Sequence, residues 1–426
     1  MPANYFFYRF IITFVAEFLI KAAQIADIFI KNKFSDFFLK RSGRKIISSQ
    51  TSSKKIWFFA SSVGEASVCE ILINQLTKSK KNLAFHVSIM TDSGLETAKK
   101  NLSHIADLSY SPIDSVFSIR KALDSIQPDI LCLIETEIWP NLICETGKKN
   151  IPILILNARI SNKTISSYMK IKHLLNHVFK YIKEFNAASE LDKNNLLKLG
   201  VDRKKIQVSG NAKYDFEIKQ EVISKTKNIY MDIFGFKKND KILVCGSTRS
   251  GEEEIIIKAF LNLKKQIKSL KLILVPRHLQ RIEEITKIFN ELGCDFSLRT
   301  ELKNKQDAVL CNTMGELKNI YTIADLVFIG GSMKNFGGQN LLEPASLSKP
   351  LIFGKYMEHF KEISELIKNN KGGFEVNESN FEKTALSLLK NNDFAKTTGQ
   401  NAFFAMSENK GAAKGQISTI IKYLDF

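Results

Sequence analysis

Ile56-Trp57-Phe58-Phe59-Ala60-Ser61-Ser62-Val63-Gly64-Glu65 is the stretch on which the fold turns. Its first five residues form an apolar run of the length and composition of a buried strand. Apolar residues recur at helical spacing from Ala66 to Leu76. A strand that turns at once into a helix is half of a βαβ unit, and Glu65 lies in that turn with Gly64 before it. In an open α/β sheet such turns sit at the carboxyl edge, where ligands bind. Glu65 is therefore a candidate general base. It is equally a glutamate of the first helical turn, stabilised by the macrodipole. The turn alone leaves both readings open.

The alternation continues outward. Ala84–Met90, Ile130–Ile134, Ile153–Leu156 and Asn186–Ser189 read as further strands, with helical patterns such as Ser115–Ile126 and Leu191–Leu199 between them. This predicts parallel βαβ units. A lysine-rich stretch over 219–240 reads as an interdomain connection. Strands then resume at Ile242–Cys245, Leu272–Val275, Ala308–Cys311, Leu326–Ile329 and Leu351–Phe353, with helices at Leu279–Leu292 and Phe381–Leu389. The expected division is an amino-terminal helix (1–31), a Rossmann-like half (32–218), the connection (219–240), and a second Rossmann-like half with a carboxyl-terminal helix (241–426). Two α/β halves facing across a cleft are the economical architecture for 426 residues.

The net charge of +18 points to an anionic partner: nucleic acid, an acidic membrane surface or a phosphorylated substrate. No nucleic-acid motif is present. The six cysteines form no C-x-x-C pair and read as buried free thiols of a reducing compartment. His173 and His177 share helical spacing but lack a third ligand nearby, so no metal site is expected. In Tyr5–Ile30, Arg9, Thr13, Glu17, Lys21, Gln24 and Asp27 fall on an arc of about 120° at about 100° per residue. Charges interrupt the apolar run, so the segment reads as an interfacial amphipathic helix and not a span. Lys31, Lys33, Lys40, Arg41, Arg44 and Lys45 follow and suit anionic headgroups.

Phosphate-binding signals concentrate in the second half. Gly246-Ser247-Thr248 and Gly315 are expected to open helices whose N–H groups meet an anion, and Arg277 to fork onto a phosphate. Glu343 is a candidate acceptor for ribose hydroxyls. Neither G-x-x-x-x-G-K-[ST] nor G-x-G-x-x-G occurs, which weighs against an ATPase or a dehydrogenase.

Several segments together resemble one family, the 3-deoxy-D-manno-octulosonic acid (Kdo) transferases of lipid A biosynthesis. They are Ser62-Val63-Gly64-Glu65, Glu135-Thr136-Glu137-Ile138-Trp139-Pro140-Asn141, Asn157-Ala158-Arg159-Ile160-Ser161, Gly210-Asn211-Ala212-Lys213-Tyr214-Asp215, Gly251-Glu252-Glu253-Glu254, Leu274-Val275-Pro276-Arg277-His278, Asn312-Thr313-Met314-Gly315-Glu316-Leu317 and Asn340-Leu341-Leu342-Glu343-Pro344-Ala345. The resemblance runs from Trp57 to beyond Phe360. It implies a GT-B glycosyltransferase with CMP-Kdo as donor, the lipid A disaccharide precursor as acceptor, and no cofactor or metal. It also implies residence at the anionic cytoplasmic face of the inner membrane.

By the same resemblance, Glu65 is the base, while Glu135 and Lys213 stabilise the transition state. Pro276, Arg277, Met314, Gly315, Glu316, Asn340, Leu341, Leu342 and Glu343 line the CMP pocket. Two positions depart from the family's pattern: Gln339 and Arg249 each stand where histidine is usual. Two other readings remain: a different sugar-nucleotide enzyme of the same fold, such as a UDP-sugar transferase or epimerase, and a non-catalytic membrane-peripheral binding protein.

Overall fold

The computed structural model describes residues 2–29, 33–44, 46–49, 51–79, 82–160, 162–215, 220–302, 306–407 and 410–425. Lys31, Lys45, Ser161 and the first residue of the expected connection lie outside these. The chain divides into two units, Met1–Asp215 with Asn409–Phe426, and Phe216–Glu408.

The first unit is built on a parallel sheet of β1 (Lys54–Ala60), β2 (Leu83–Ile89), β3 (Asp107–Tyr110), β4 (Ile130–Ile134), β5 (Ile153–Ala158), β6 (Ile182–Ala187) and β7 (Ile206–Val208). The order is β3-β2-β1-β4-β5-β6-β7, so the chain reverses direction across the sheet between β1 and β4. β1 shows why a continuous apolar run forms a central strand. Its alternation sends Trp57 and Phe59 into one core and Ile56, Phe58 and Ala60 into the other. Both faces are dry, as parallel sheets require.

The second unit repeats this plan with β8 (Lys241–Thr248), β9 (Leu270–Pro276), β10 (Ser297–Leu298), β11 (Ala308–Leu310), β12 (Leu326–Ile329), β13 (Leu351–Phe353) and β14 (Gly373–Glu375). The order is β10-β11-β9-β8-β12-β13-β14, with the reversal between β8 and β12.

The boundaries differ from the expected ones at two places. Most of the lysine-rich connection is a helix, Gln220–Phe234, belonging to the second unit. The carboxyl-terminal helix Ala412–Leu424 belongs to the first, where Ala412, Ala413, Ile417, Ile420 and Leu424 join the core beside β1 and β4. Asp215 secures that return by accepting the backbone N–H groups of Gly411 and Ala413.

The amino-terminal helix Ala3–Phe29 docks through a mixed face, burying Tyr5, Ala16, Ile20 and Ala23. Part of its polar arc bonds into the first unit beside that face, while Lys21 is exposed. Arg9 pairs with Glu145, Glu17 accepts from Ser115 Oγ at 2.7 Å, and Thr13 Oγ1 accepts from Val116 N at 3.3 Å. Tyr8 OH donates to Asp114 at 2.9 Å. The residues left outside are Phe6, Phe7, Phe10, Ile11, Phe14, Val15 and Phe18, all near half exposed or more. None of the described helices is long and apolar enough to cross a membrane. The basic residues that follow are partly committed: Arg41 is buried between the rings of Phe37 and Tyr110, 4.1 and 4.4 Å from their centroids, and donates to Met90 O at 2.6 Å. It is a structural cation and is not offered to a headgroup.

Glu145 anchors this docking through Arg9, Arg120 and Lys148. Burial would raise its pKa, but the three cations outweigh burial and hold it at about 2. The folded value lies below the unfolded one, so the stabilisation is complete above about pH 4.3 and is lost as the pH falls toward the folded value. Glu145→Gln is expected to lower stability by about 1–2 kcal/mol at pH 7, its partners being partly solvated. It should also speed amide exchange in Ala3–Phe29 selectively. A denaturation midpoint and exchange pattern matching wild type would sink this account of the docking.

Candidate active site and donor-binding edge

Parallel strands bring their following turns to one edge of each sheet, and the switch points gather the charged ones. In the first unit, the turns after β1 and β4 flank the reversal and carry Glu65 and Glu135 with Glu137. Ser62 Oγ accepts the Glu65 N–H at 3.3 Å and donates to Glu65 Oε1 at 2.8 Å, while Ser61 N–H donates to Oε2 at 2.7 Å. This is a capping arrangement of the S-x-x-E type on the helix Val63–Ser79. The glutamate of the first helical turn and the candidate base are thus one residue in one geometry.

The opposing influences on Glu65 resolve in favour of burial. Only 6% of the residue is exposed. Burial, followed by the charge of Glu137, raises its pKa to about 7 against the two capping hydrogen bonds, with Glu135 adding to the rise. Glu137, also raised by burial, is held by Trp139 Nε1 at 2.6 Å.

Lys213 is bonded into this group, with Nζ 2.5 Å from Glu135 Oε1. Its position is set from the other side of the sheet's reversal. Asn157 Oδ1 accepts Ala212 N–H at 2.8 Å and Asn211 Oδ1 accepts Lys213 N–H at 3.0 Å. Gly64 makes room for it, since a Cβ there would lie 3.3 Å from Lys213 Nζ. Glu135 and Asn157 both adopt left-handed backbone, φ 59° and 56°. The structure therefore brings Glu65, Glu135 and Lys213 together. Asn157, Asn211, Ser61 and Ser62 position them. Their roles were not legible beforehand, although all four stood in the quoted segments.

In the second unit, Pro276 ends β9 and Arg277 follows it, exposed, with its N–H on Thr248 O at 3.0 Å. Two expectations are corrected here. Gly246-Ser247-Thr248 are the last residues of β8, with Ser247 at φ 56°, and the next helix begins only at Glu253. Gly315 precedes a helix of a single turn, Leu317–Ile320, with Glu316 at the N-cap position making no capping bond, and this helix is too short to supply a dipole site. Glu316 is itself engaged, pairing with Arg299 at 2.9 Å and accepting from Thr313 Oγ1 and Tyr230 OH.

Met314 is exposed beside Glu316. Asn340 Oδ1 accepts Leu342 N–H at 3.0 Å and its Nδ2 donates to Glu343 at 3.3 Å, with Leu341 buried beneath. Burial raises the Glu343 pKa against the opposing effects of Lys318 and Asn340. Pro276 and Arg277, Met314 to Glu316, and Asn340 to Glu343 thus follow β9, β11 and β12 respectively, along one edge. Glu252 is a residue that sequence reasoning quoted but gave no task. Fully buried, it accepts N–H groups from Arg249, Gly331, Ser332 and Met333 at 2.7–2.9 Å.

Residues 38–216 match the family model of the 3-Deoxy-D-manno-octulosonic-acid transferases (kdotransferases). A 3-deoxy-D-manno-octulosonic acid transferase of Haemophilus influenzae is 32% identical over 375 residues, 87% of this chain and 87% of its own length. The chain belongs to this family. It is a glycosyltransferase. A bifunctional glycosyltransferase/methyltransferase of Fusobacterium nucleatum is 36% identical over 358 residues, which are 82% of this chain, and this chain spans about half (54%) of that relative. A UDP-GlcNAc 2-epimerase of Neisseria meningitidis shares the fold with a TM-score of 0.59 at 18% identity, covering 86% of this chain and all of that one. The two-unit GT-B expectation is thereby met.

Because the folded pKa of Glu65 is raised, its ionisation opposes folding as the pH climbs from about 4.3 toward 7. Glu65→Gln keeps the capping acceptor and removes the ionisation. Its melting temperature relative to wild type is expected to rise between pH 5 and pH 8.5. A difference independent of pH would contradict the assignment.

Proposed function

We propose that this Kdo transferase moves Kdo from CMP-Kdo to a hydroxyl of the lipid A disaccharide precursor (lipid IVA), with inversion and without a metal, in lipopolysaccharide biosynthesis. The observation that carries the mechanism is the Glu65 carboxylate raised to about 7. A base with that pKa is half ionised at neutral pH and takes up a proton without a large uphill step.

The acceptor O–H gives its proton to Glu65 as the oxygen attacks the anomeric carbon. The bond from that carbon to the phosphate oxygen breaks on the opposite face, and CMP leaves with the electron pair. Glu135 and Lys213 form an ion pair beside the base and act on the developing charge. On the second unit, Pro276 and Arg277, Met314 to Glu316, and Asn340 to Glu343 hold the nucleotide. The leaving phosphate is met by Arg277, whose guanidinium pairs with no described carboxylate.

The enzyme works at the anionic cytoplasmic face of the inner membrane. What supports this is the outward row of phenylalanines on Ala3–Phe29, a helix whose Arg9, Thr13 and Glu17 are already bonded to the protein. An exposed apolar strip of this size is a mark of an interaction surface.

Incubation with CMP-Kdo and a tetra-acylated precursor is expected to add the mass of one or more Kdo residues. Glu65→Gln should reduce turnover by about 10²- to 10⁴-fold, the usual worth of a general base, while CMP affinity stays within twofold. Wild-type kcat should rise with pH through an apparent pKa near 7. No mass gain in wild type rules out the donor and acceptor; near-normal turnover in the variant rules out the base. Phe10→Ser with Phe14→Ser should cut co-flotation with anionic vesicles several-fold at unchanged melting temperature, since both rings are more than 60% exposed. Equal flotation excludes the strip as the membrane contact.

A further inference from the structure

Three arginines crowd the carboxyl ends of β8 and β9: Arg249, Arg277 and Arg281. Their circumstances differ. Arg281 is neutralised, forming a bidentate pair with the buried Glu253 and a second pair with Glu284. Arg249 and Arg277 have no ion pair among the described residues. Like charges this close repel, and here the repulsion is not offset by any carboxylate aimed at the guanidinium groups. The nearest candidate, Glu252, spends both oxygens on four backbone N–H groups.

Arg249 is nonetheless held in place. Its own N–H is one of those four, at 2.9 Å from Glu252 Oε2. Its guanidinium lies over the Phe336 ring, 5.2 Å from the centroid, and Nη1 sits 2.5 Å from His278 Nε2. That contact requires a neutral His278 accepting the bond, which suits a ring surrounded by three guanidinium groups. Its Nε is buried and bonded to nothing among the described residues. Gly331 brings it close to Gln339, for a Cβ there would meet Gln339 Nε2 at 3.3 Å and Arg249 Cγ at 3.4 Å. The two residues that depart from the family's histidines are therefore neighbours over one glycine.

We infer that Arg249 is a second phosphate-binding cation of the donor edge, acting with Arg277 on the terminal phosphate of a cytidine nucleotide. The inference rests on the nucleotide reading of the second unit given above. A preoriented, unpaired guanidinium with an unused buried N–H, next to a second unpaired one, is complementary to a phosphate monoester. Two permanent positive charges also favour the dianionic monoester that leaves over the monoanionic diester that arrives. Arg249 thus contributes to leaving-group departure as well as to binding. Arginine keeps this charge at every working pH, which a histidine at the same position does not.

The test is calorimetric titration of the full chain with CMP and with cytidine, at pH 7.5. Arg249→Ala is expected to weaken CMP binding about 10- to 100-fold, the loss typical of a charge-assisted phosphate contact, and to leave cytidine affinity and melting temperature within error. Arg249→Lys should recover part of the CMP affinity, because it restores charge without the fork. If wild type binds CMP and Arg249→Ala binds it equally well, the inference is overturned while the nucleotide reading stands. Equal losses for CMP and cytidine also overturn it, marking Arg249 as a structural support. If wild type binds neither, the nucleotide reading itself falls, and this inference with it.

Discussion

Every strand pairing in both sheets is parallel, so in each unit all strands finish at the same edge. That geometry collects the turns on which chemistry depends. It also sets the conformations those turns adopt, because a strand that must pass abruptly into a helix bends the backbone at its last residues. Non-glycine residues in left-handed conformation recur there: Glu135 after β4, Asn157 within the end of β5, Ser247 within the end of β8. Each costs on the order of 1 kcal/mol or more. The fold tolerates them because the neighbouring strands are fully buried on both faces and leave the backbone no alternative path.

The two edges carry opposite electrostatic designs. The first gathers three carboxylates, Glu65, Glu135 and Glu137, against the single ammonium of Lys213. Burial, then the charges of Glu137 and Glu135, raise the Glu65 pKa to about 7. The second gathers guanidinium groups and, of two fully buried glutamates after β8, commits Glu253 to Arg281 and Glu252 to backbone N–H groups. The glycine-rich turn after β12 is therefore filled by the protein's own carboxylate, and its N–H groups are not left open to an anion. Under the proposed function, a proton acceptor on one edge and guanidinium groups on the other answer the two needs of a transfer from an activated phosphate donor.

What could be read beforehand follows a physical pattern. The central strands were legible because double-sided burial demands uninterrupted apolar runs, as in Ile130–Ile134 and Leu326–Ile329. The edge strands β3, β7, β10 and β14 escaped notice because they are short, and none is buried along its whole length. The amino-terminal helix shows a different limit. Periodicity located its polar arc, but an arc has no sign, and only the partners Ser115, Val116 and Glu145 reveal that Arg9, Thr13 and Glu17 bond into the unit beside the buried Tyr5, Ala16, Ile20 and Ala23. The carboxyl-terminal helix joins the first unit through Asp215, nearly two hundred residues away in sequence, a pairing no local pattern announces. At the site, residue types were legible and hydrogen-bond assignments were not. Glu65 could be singled out, while the competition between its cap and its burial needed the surrounding atoms.

That competition explains why one glutamate can serve as both cap and base. An ionised carboxylate offers about four lone-pair positions. The cap occupies one on each oxygen, through Ser61 N–H and Ser62 Oγ, and so leaves one on each for an acceptor hydroxyl. The same two bonds keep the side chain in a single orientation, which a base on a mobile side chain lacks. They also lower the pKa, and taken alone they would make Glu65 too weak a base. Burial and the neighbouring Glu137 reverse that effect. Rigidity and basicity, which a cap in water would trade against each other, are both available because the turn is dry.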